Sequence, residues 1–119
     1  MFIKEASELS GATQRAIRFY ESLGLIKVSR SGKYRVYTET NVNLIKMIKE
    51  AQSLGIKLSE VADLKEGNDS FNWETVRDLL IEKQQDVAIQ IQQLEIQRDR
   101  LAQYRESIDI CIQGVDSDL

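Results

Sequence analysis

Thr13-Gln14-Arg15-Ala16-Ile17-Arg18-Phe19-Tyr20-Glu21-Ser22-Leu23-Gly24 is the stretch on which the reading of this chain turns. Thr13 suits a helix N-cap, because its hydroxyl can accept a backbone N–H that the first turn leaves unpaired. Gly24 sits where the helix should stop. Between them Ile17 and Tyr20, with Phe19 beside them, supply an apolar face. Gln14, Arg15 and Arg18 crowd the first two turns, the part of a recognition helix that meets base edges. Gln and Arg can pair bidentately with adenine and guanine in the major groove.

Upstream, Ala6 and Leu9 give an apolar side to a short helix from about Ile3 to Ser10, and Gly11 provides the sharp turn. Two short helices joined by a glycine turn are what a helix-turn-helix needs, and equally what any helical pair supplies. Downstream, Leu25-Ile26-Lys27-Val28 and Tyr34-Arg35-Val36-Tyr37 are β-favouring runs around a turn containing Gly32, which predicts a hairpin. Arg30, Lys33 and Arg35 lie there with Tyr34 and Tyr37, a mixture of cations and hydroxyls suited to phosphate. Thr38 can cap a third helix carrying Val42, Leu44, Ile45, Ile48, Ala51 and Leu54, ended by Gly55. Leu58, Val61, Ala62 and Leu64 predict a short fourth helix, and Glu66–Ser70 a break.

The second half has another character. No proline or glycine interrupts about Trp73 to Ile112, so one helix roughly 60 Å long fits there at about 1.5 Å per residue. Leu80, Val87, Leu94, Leu101 and Ile108 recur every seventh residue. The row four residues further on reads Gln84, Ile91, Arg98, Arg105, Ile112, apolar at two of five places, so the seam is imperfect for a free-standing coiled coil. A stripe this long outruns a head of about 70 residues. A second copy of the chain is the simplest cover, and packing onto the first half can serve only its N-terminal turns.

Composition narrows the function. The chain has no histidine and one cysteine in 119 residues, which removes the commonest general base and soft-metal ligand sets. With no phosphate-cradling glycine loop or carboxylate cluster, no enzyme, cofactor or metal site is expected. Cys111, beside the apolar row, reads as a small buried hydrophobe. A lone cysteine and the absence of any apolar run near 20 residues point to a cytoplasmic protein without a membrane segment. The net charge of −3 conceals ten Lys/Arg against six Asp/Glu in residues 1–60, and six against thirteen in 61–119. A basic first half on an acidic chain suits a local polyanion-binding face, although uneven surface charge would look the same.

The run Ala16-Ile17-Arg18-Phe19-Tyr20-Glu21, then Gly24-Leu25-Ile26, Tyr34-Arg35-Val36-Tyr37 and Leu54-Gly55-Ile56, closely resembles the MerR family of transcription regulators. The ordering covers residues 2 to about 64, and the long helix matches that family's dimerisation helix in length and position. The resemblance implies that Thr13, Gln14 and Arg15 lie at the operator, with Gln14 and Arg15 setting its sequence. It places Arg18 and Tyr20 at the DNA face of the second helix, and Tyr34, Arg35 and Tyr37 in a wing on the backbone, where Lys33 adds a cation of this chain's own. Core packing remains open for the two tyrosines Tyr20 and Tyr37, and a surface ion pair for Arg18 and Arg35. Lys33 stands where the family has glycine, which shifts the expected turn onto Ser31-Gly32. Lys57 replaces a capping Ser or Asn and brings a cation near phosphate.

The chain is thus predicted to be mainly α. A winged helix-turn-helix DNA-binding domain with a small β-hairpin wing takes residues 1–70. A long dimerisation helix, an antiparallel coiled coil by the resemblance, takes 71–113, its seam formed by Leu80, Val87, Ile91, Leu94, Leu101 and Ile108. A short tail takes 114–119. The implied partners are double-stranded promoter DNA, a second copy, and RNA polymerase. The resemblance further implies regulation by distorting promoter DNA. An adaptor that binds a protein instead of an operator is the alternative, and the cations on both helix and hairpin argue against it.

Overall fold

The computed structural model describes residues 1–66 and 70–117, with side chains to Val115. The elements in order are α1 (Ile3–Ser10), α2 (Gln14–Ser22), β1 (Ser29–Ser31), β2 (Tyr34–Val36), α3 (Glu39–Ser53), α4 (Leu58–Leu64) and α5 (Trp73–Ser117). They divide into two compact units, Met1–Val76 and the chain from Arg77 onward. The central part of the expected break, Gly67, Asn68 and Asp69, lies outside the described residues, as do Asp118 and Leu119.

In the first unit α1 packs on α2 and α3, and α3 on α4. Ala6, Ile17, Leu25, Ile45 and Ile48 form the centre of the core and are essentially inaccessible to solvent. Local chemistry sets the element ends. Thr13 Oγ1 accepts the Ala16 N–H at 3.0 Å, as its N-cap role requires. Thr38 and Asn41 make a reciprocal box, with Asn41 N–H donating to Thr38 Oγ1 (3.1 Å) and Thr38 N–H to Asn41 Oδ1 (3.0 Å). The end of α2 is a Schellman turn, in which Leu25 N–H donates to Tyr20 O and Gly24 N–H to Glu21 O, each at 3.0 Å. Gly24 holds φ +75°, a left-handed angle that a side chain would oppose, and Leu25 behind it enters the core.

Several expectations need correction. Leu9, Phe19 and Leu54 are exposed, not core. The buried positions of α1 are Ala6 and Ser10, whose small side chains let the helix approach its neighbours closely. Leu54 falls at the C-cap of α3, beyond the buried stripe Asn41, Leu44, Ile45, Ile48. The first strand is Ser29–Ser31, whereas Leu25 and Ile26 bury themselves ahead of it as irregular chain. Antiparallel pairing of Ser31 with Tyr34 leaves Gly32-Lys33 as the two-residue turn, not Ser31-Gly32. Gly32 at φ +61° explains the choice, since the turn that matches strand twist needs a positive φ at its first central residue.

The second unit is helical throughout its described length, as α5 continues from the first. Asn72 Oδ1 caps the start of α5 by accepting from Glu74 N–H (3.1 Å) and Thr75 N–H (3.3 Å). The helix is 45 residues long and reaches Ser117, so residues 114–117 are not the irregular tail expected. A single internal glycine costs about 1 kcal/mol against alanine and does not stop a helix of this length. The extension adds Val115 to the seven-residue row, which then reads Leu80, Val87, Leu94, Leu101, Ile108, Val115. Every member of that row, and Ile91 beside it, is between 44% and 63% exposed within one chain. No described helix is long and apolar enough to cross a membrane.

Candidate nucleic-acid interface

The reading surface begins with the angle between α1 and α2. Ala12 is buried, its N–H donates to Ser10 Oγ (3.2 Å), and Ser7 Oγ donates to Ala12 O (2.6 Å). These bonds fix a three-residue turn of helix-turn-helix type. Lysines hold both ends of α2 in place: Lys49 Nζ donates to Gly11 O at 2.5 Å, and Lys65 Nζ donates to Gly24 O. Nothing in the sequence pattern foretells these two, because each bridges about 40 positions.

On α2, Thr13, Gln14, Arg15 and Arg18 are exposed while Ile17 and Tyr20 turn inward. The first two turns therefore offer an amide and two guanidiniums to solvent, with the hydrophobic face providing the anchor. Phe19, exposed, lies one turn beyond Arg15 on that outward side.

The hairpin holds the second cation group. Lys33 and Tyr34 are exposed at the tip, with the Lys33 ammonium 5.6 Å from the Tyr34 ring centre and Phe2 packed against that ring at 5.8 Å. Arg30 pairs with Arg35 across the ladder, so both side chains leave the same face of the hairpin. Arg35 is half-buried, and its Nε donates to Glu21 Oε2 of α2 at 2.7 Å. Arg30 is exposed and has no carboxylate partner among the described residues. Lys57 is exposed at the N-cap of α4 and makes no side-chain cap; its own backbone N–H donates to Glu60 Oε1 at 3.2 Å.

Tyr20 and Tyr37 need correcting as surface contacts. Tyr20 is 3% exposed and its hydroxyl donates to Gln52 Oε1 at 2.5 Å, joining α2 to α3. Tyr37 is 1% exposed and its buried hydroxyl has no hydrogen-bond partner among the described residues. A buried aromatic ring gains more from burial than its hydroxyl loses. Burial pushes the Tyr37 hydroxyl above its usual range; the Glu21 carboxylate pushes the same way, and Arg35, Arg18 and Arg30 pull it down. Arg30, left out of the contacts the resemblance implies, was findable, since a two-residue turn at Gly32-Lys33 places it opposite Arg35.

This geometry has known counterparts. The family model for the MerR HTH family regulatory protein matches residues 1–68, and a second model, MerR DNA binding, matches residues 42–104. The chain belongs to the MerR family. It is 31% identical over 111 residues to the HTH-type transcriptional regulator CueR of Salmonella typhi, covering 90% of this chain and 80% of that one. It is 36% identical over 66 residues to the regulator HmrR of Sinorhizobium medicae, covering 54% of this chain and 45% of HmrR. The chain thus spans about half the length of the HmrR regulators that it matches. Its fold is shared with HiNmlR, a MerR family regulator lacking the sensor domain and solved bound to promoter DNA. That likeness has a TM-score of 0.62 at 23% identity and covers 83% of this chain and 78% of the other.

Proposed function

We propose that this chain is a sequence-specific, DNA-binding transcription regulator that acts as a homodimer on a promoter operator. The observation that carries the reading is the exposed set Gln14, Arg15 and Arg18 on the first two turns of a capped helix whose other face is locked into the core. Gln14 and Arg15 read base edges in the major groove, where each good bidentate contact is worth about 1–3 kcal/mol of discrimination. Arg18 and Lys57 face the phosphates, and the hairpin with Lys33 and Tyr34 lies along the backbone beside the groove.

The exposed row on α5 supports the dimer, because six apolar side chains at seven-residue spacing have no cover within one chain. Pairing two copies antiparallel sets one reading head at each end, for a palindrome with half-sites about one helical turn or slightly more apart. The same arrangement suits regulation by bending the promoter so that RNA polymerase can engage it, a deformation costing about 1–6 kcal/mol. A head of residues 1–70 and a dimerising helix beyond it is the division of labour that this reading assigns, with the cytoplasm as its place. A mobility-shift assay on the DNA upstream of the chain's own gene tests it. A shift resistant to scrambled competitor is expected, and equal competition by scrambled duplex would defeat the reading.

A further inference from the structure

The Glu21–Arg35 pair joins the two parts of the interface. Glu21 ends the α2 run of charged residues, Arg35 sits in β2, and their 2.7 Å contact is half-sheltered from solvent. Backbone packing of α2 is chiefly against α1, so this side-chain pair is a direct link between α2 and the hairpin. The ladder places Arg30 opposite Arg35, and two like charges on one face of a two-stranded ribbon repel unless one is neutralised. Glu21 neutralises Arg35, and Arg30 keeps its full charge. The geometry thus links three charged residues in sequence, Glu21 to Arg35 by contact and Arg35 to Arg30 across the ladder.

We propose that Glu21 is a positioning residue: by holding Arg35 it fixes the hairpin against α2, so that operator preference depends on this pair while Arg30, with Lys33 at the tip, supplies the hairpin's charge for phosphate. The proposal rests on the DNA-binding reading for its consequence, and on the protein alone for its geometry. A wing held at one angle lets the reading helix enter the groove in one register. With Glu21 neutral, Arg35 becomes a third mobile cation beside Arg30 and Lys33, which favours every duplex alike.

The test uses the full chain as wild type, Glu21→Gln, and the exchanged pair Glu21→Arg with Arg35→Glu. The probes are the duplex that wild-type protein selects from a random pool and a scrambled version of it. For Glu21→Gln, binding to scrambled duplex should tighten and its salt slope should steepen by about one unit per subunit, as one more phosphate contact requires. Preference for the selected duplex should fall by about tenfold, in line with a coupled pair of ordinary strength. The exchanged pair should recover most of that preference, which loss of a phosphate-binding Arg35 could not do. In DNA-free protein, amide exchange at Tyr34–Val36 should quicken in Glu21→Gln and slow again in the exchanged pair. Unchanged hairpin exchange in Glu21→Gln overturns the proposal whatever the DNA result, as does an exchanged pair no more selective than Glu21→Gln. If wild-type protein selects no duplex while hairpin exchange responds as described, the DNA-binding reading fails and the positioning role of Glu21 stands.

Discussion

The two units of this chain solve the burial problem in opposite ways. The unit Met1–Val76 closes on itself: Ile17, Leu25, Ile45 and Ile48 are lost to solvent, and capping or Schellman bonds hold the ends of its helices. From Arg77 to Ser117 the chain is a single helix, and every member of its seven-residue apolar row remains between 44% and 63% exposed. Leu94, Leu101 and Ile108, at 62%, 63% and 55% exposed, each forgo much of the roughly 1.5–3 kcal/mol that burying such a side chain provides. A helix lacking that support in water is held up by whatever it packs against. The first unit specifies its own shape, and the second specifies a surface.

That contrast can be broken most sharply at the seam. Leu94→Glu sets a carboxylate in the middle of the apolar row and should cost on the order of several kcal/mol of association. Sedimentation should show monomer, and circular dichroism should show helix loss that deepens on dilution, with the first unit still folded. A stable dimer in this variant would remove the seam from that place. The mirror experiment is Ile17→Ala, which should cost about 2–5 kcal/mol in the melting of the first unit and leave subunit association intact.

Smaller effects separate the two buried tyrosines. Tyr20→Phe discards the bond to Gln52 and should destabilise by about 0.5–1.5 kcal/mol. Tyr37→Phe removes a hydroxyl with no partner and should be neutral or stabilising in denaturant titrations. Burial raises the titration of both hydroxyls above the ordinary value of 10.0. A raised value means that the folded state keeps the proton longer. Their contribution is therefore complete below about pH 10 and lost as pH climbs through the folded value. Stability should drop above that pH in wild type and less so in the double Phe variant. Thr13→Ala should cost about 1 kcal/mol through loss of the α2 cap.

The elements were legible in the sequence where local chemistry decides them. Thr13, Thr38, Gly24 and Gly55 marked helix ends, and Gly32 marked the hairpin turn, because capping and positive φ depend on one or two residues. What was hidden depends on residues far apart. Leu9 and Leu54 fit a helical spacing as well as their buried neighbours do, and only the packing of α1 on α3 decides which side is inside. An ion pair was open for Arg35 from the sequence, but its partner Glu21 lies 14 positions away and nothing local singles it out. Tyr20 and Tyr37 carry both a ring and a hydroxyl, and composition alone cannot say which end wins. A short tail was expected from residue 114, yet α5 runs on to Ser117 and carries the seven-residue row to Val115.

On this reading Arg15 of α2 reads bases, and Arg30 gives the hairpin its grip on the DNA backbone. Affinity measured against salt on the selected and scrambled duplexes, for wild type, Arg15→Ala and Arg30→Ala, tests it most directly. Arg15→Ala should lose about 1–3 kcal/mol of preference at nearly constant salt slope. Arg30→Ala should weaken both duplexes alike and flatten the slope by about one unit per subunit. Equal loss of preference in the two variants, or unchanged affinity in both, would contradict the account.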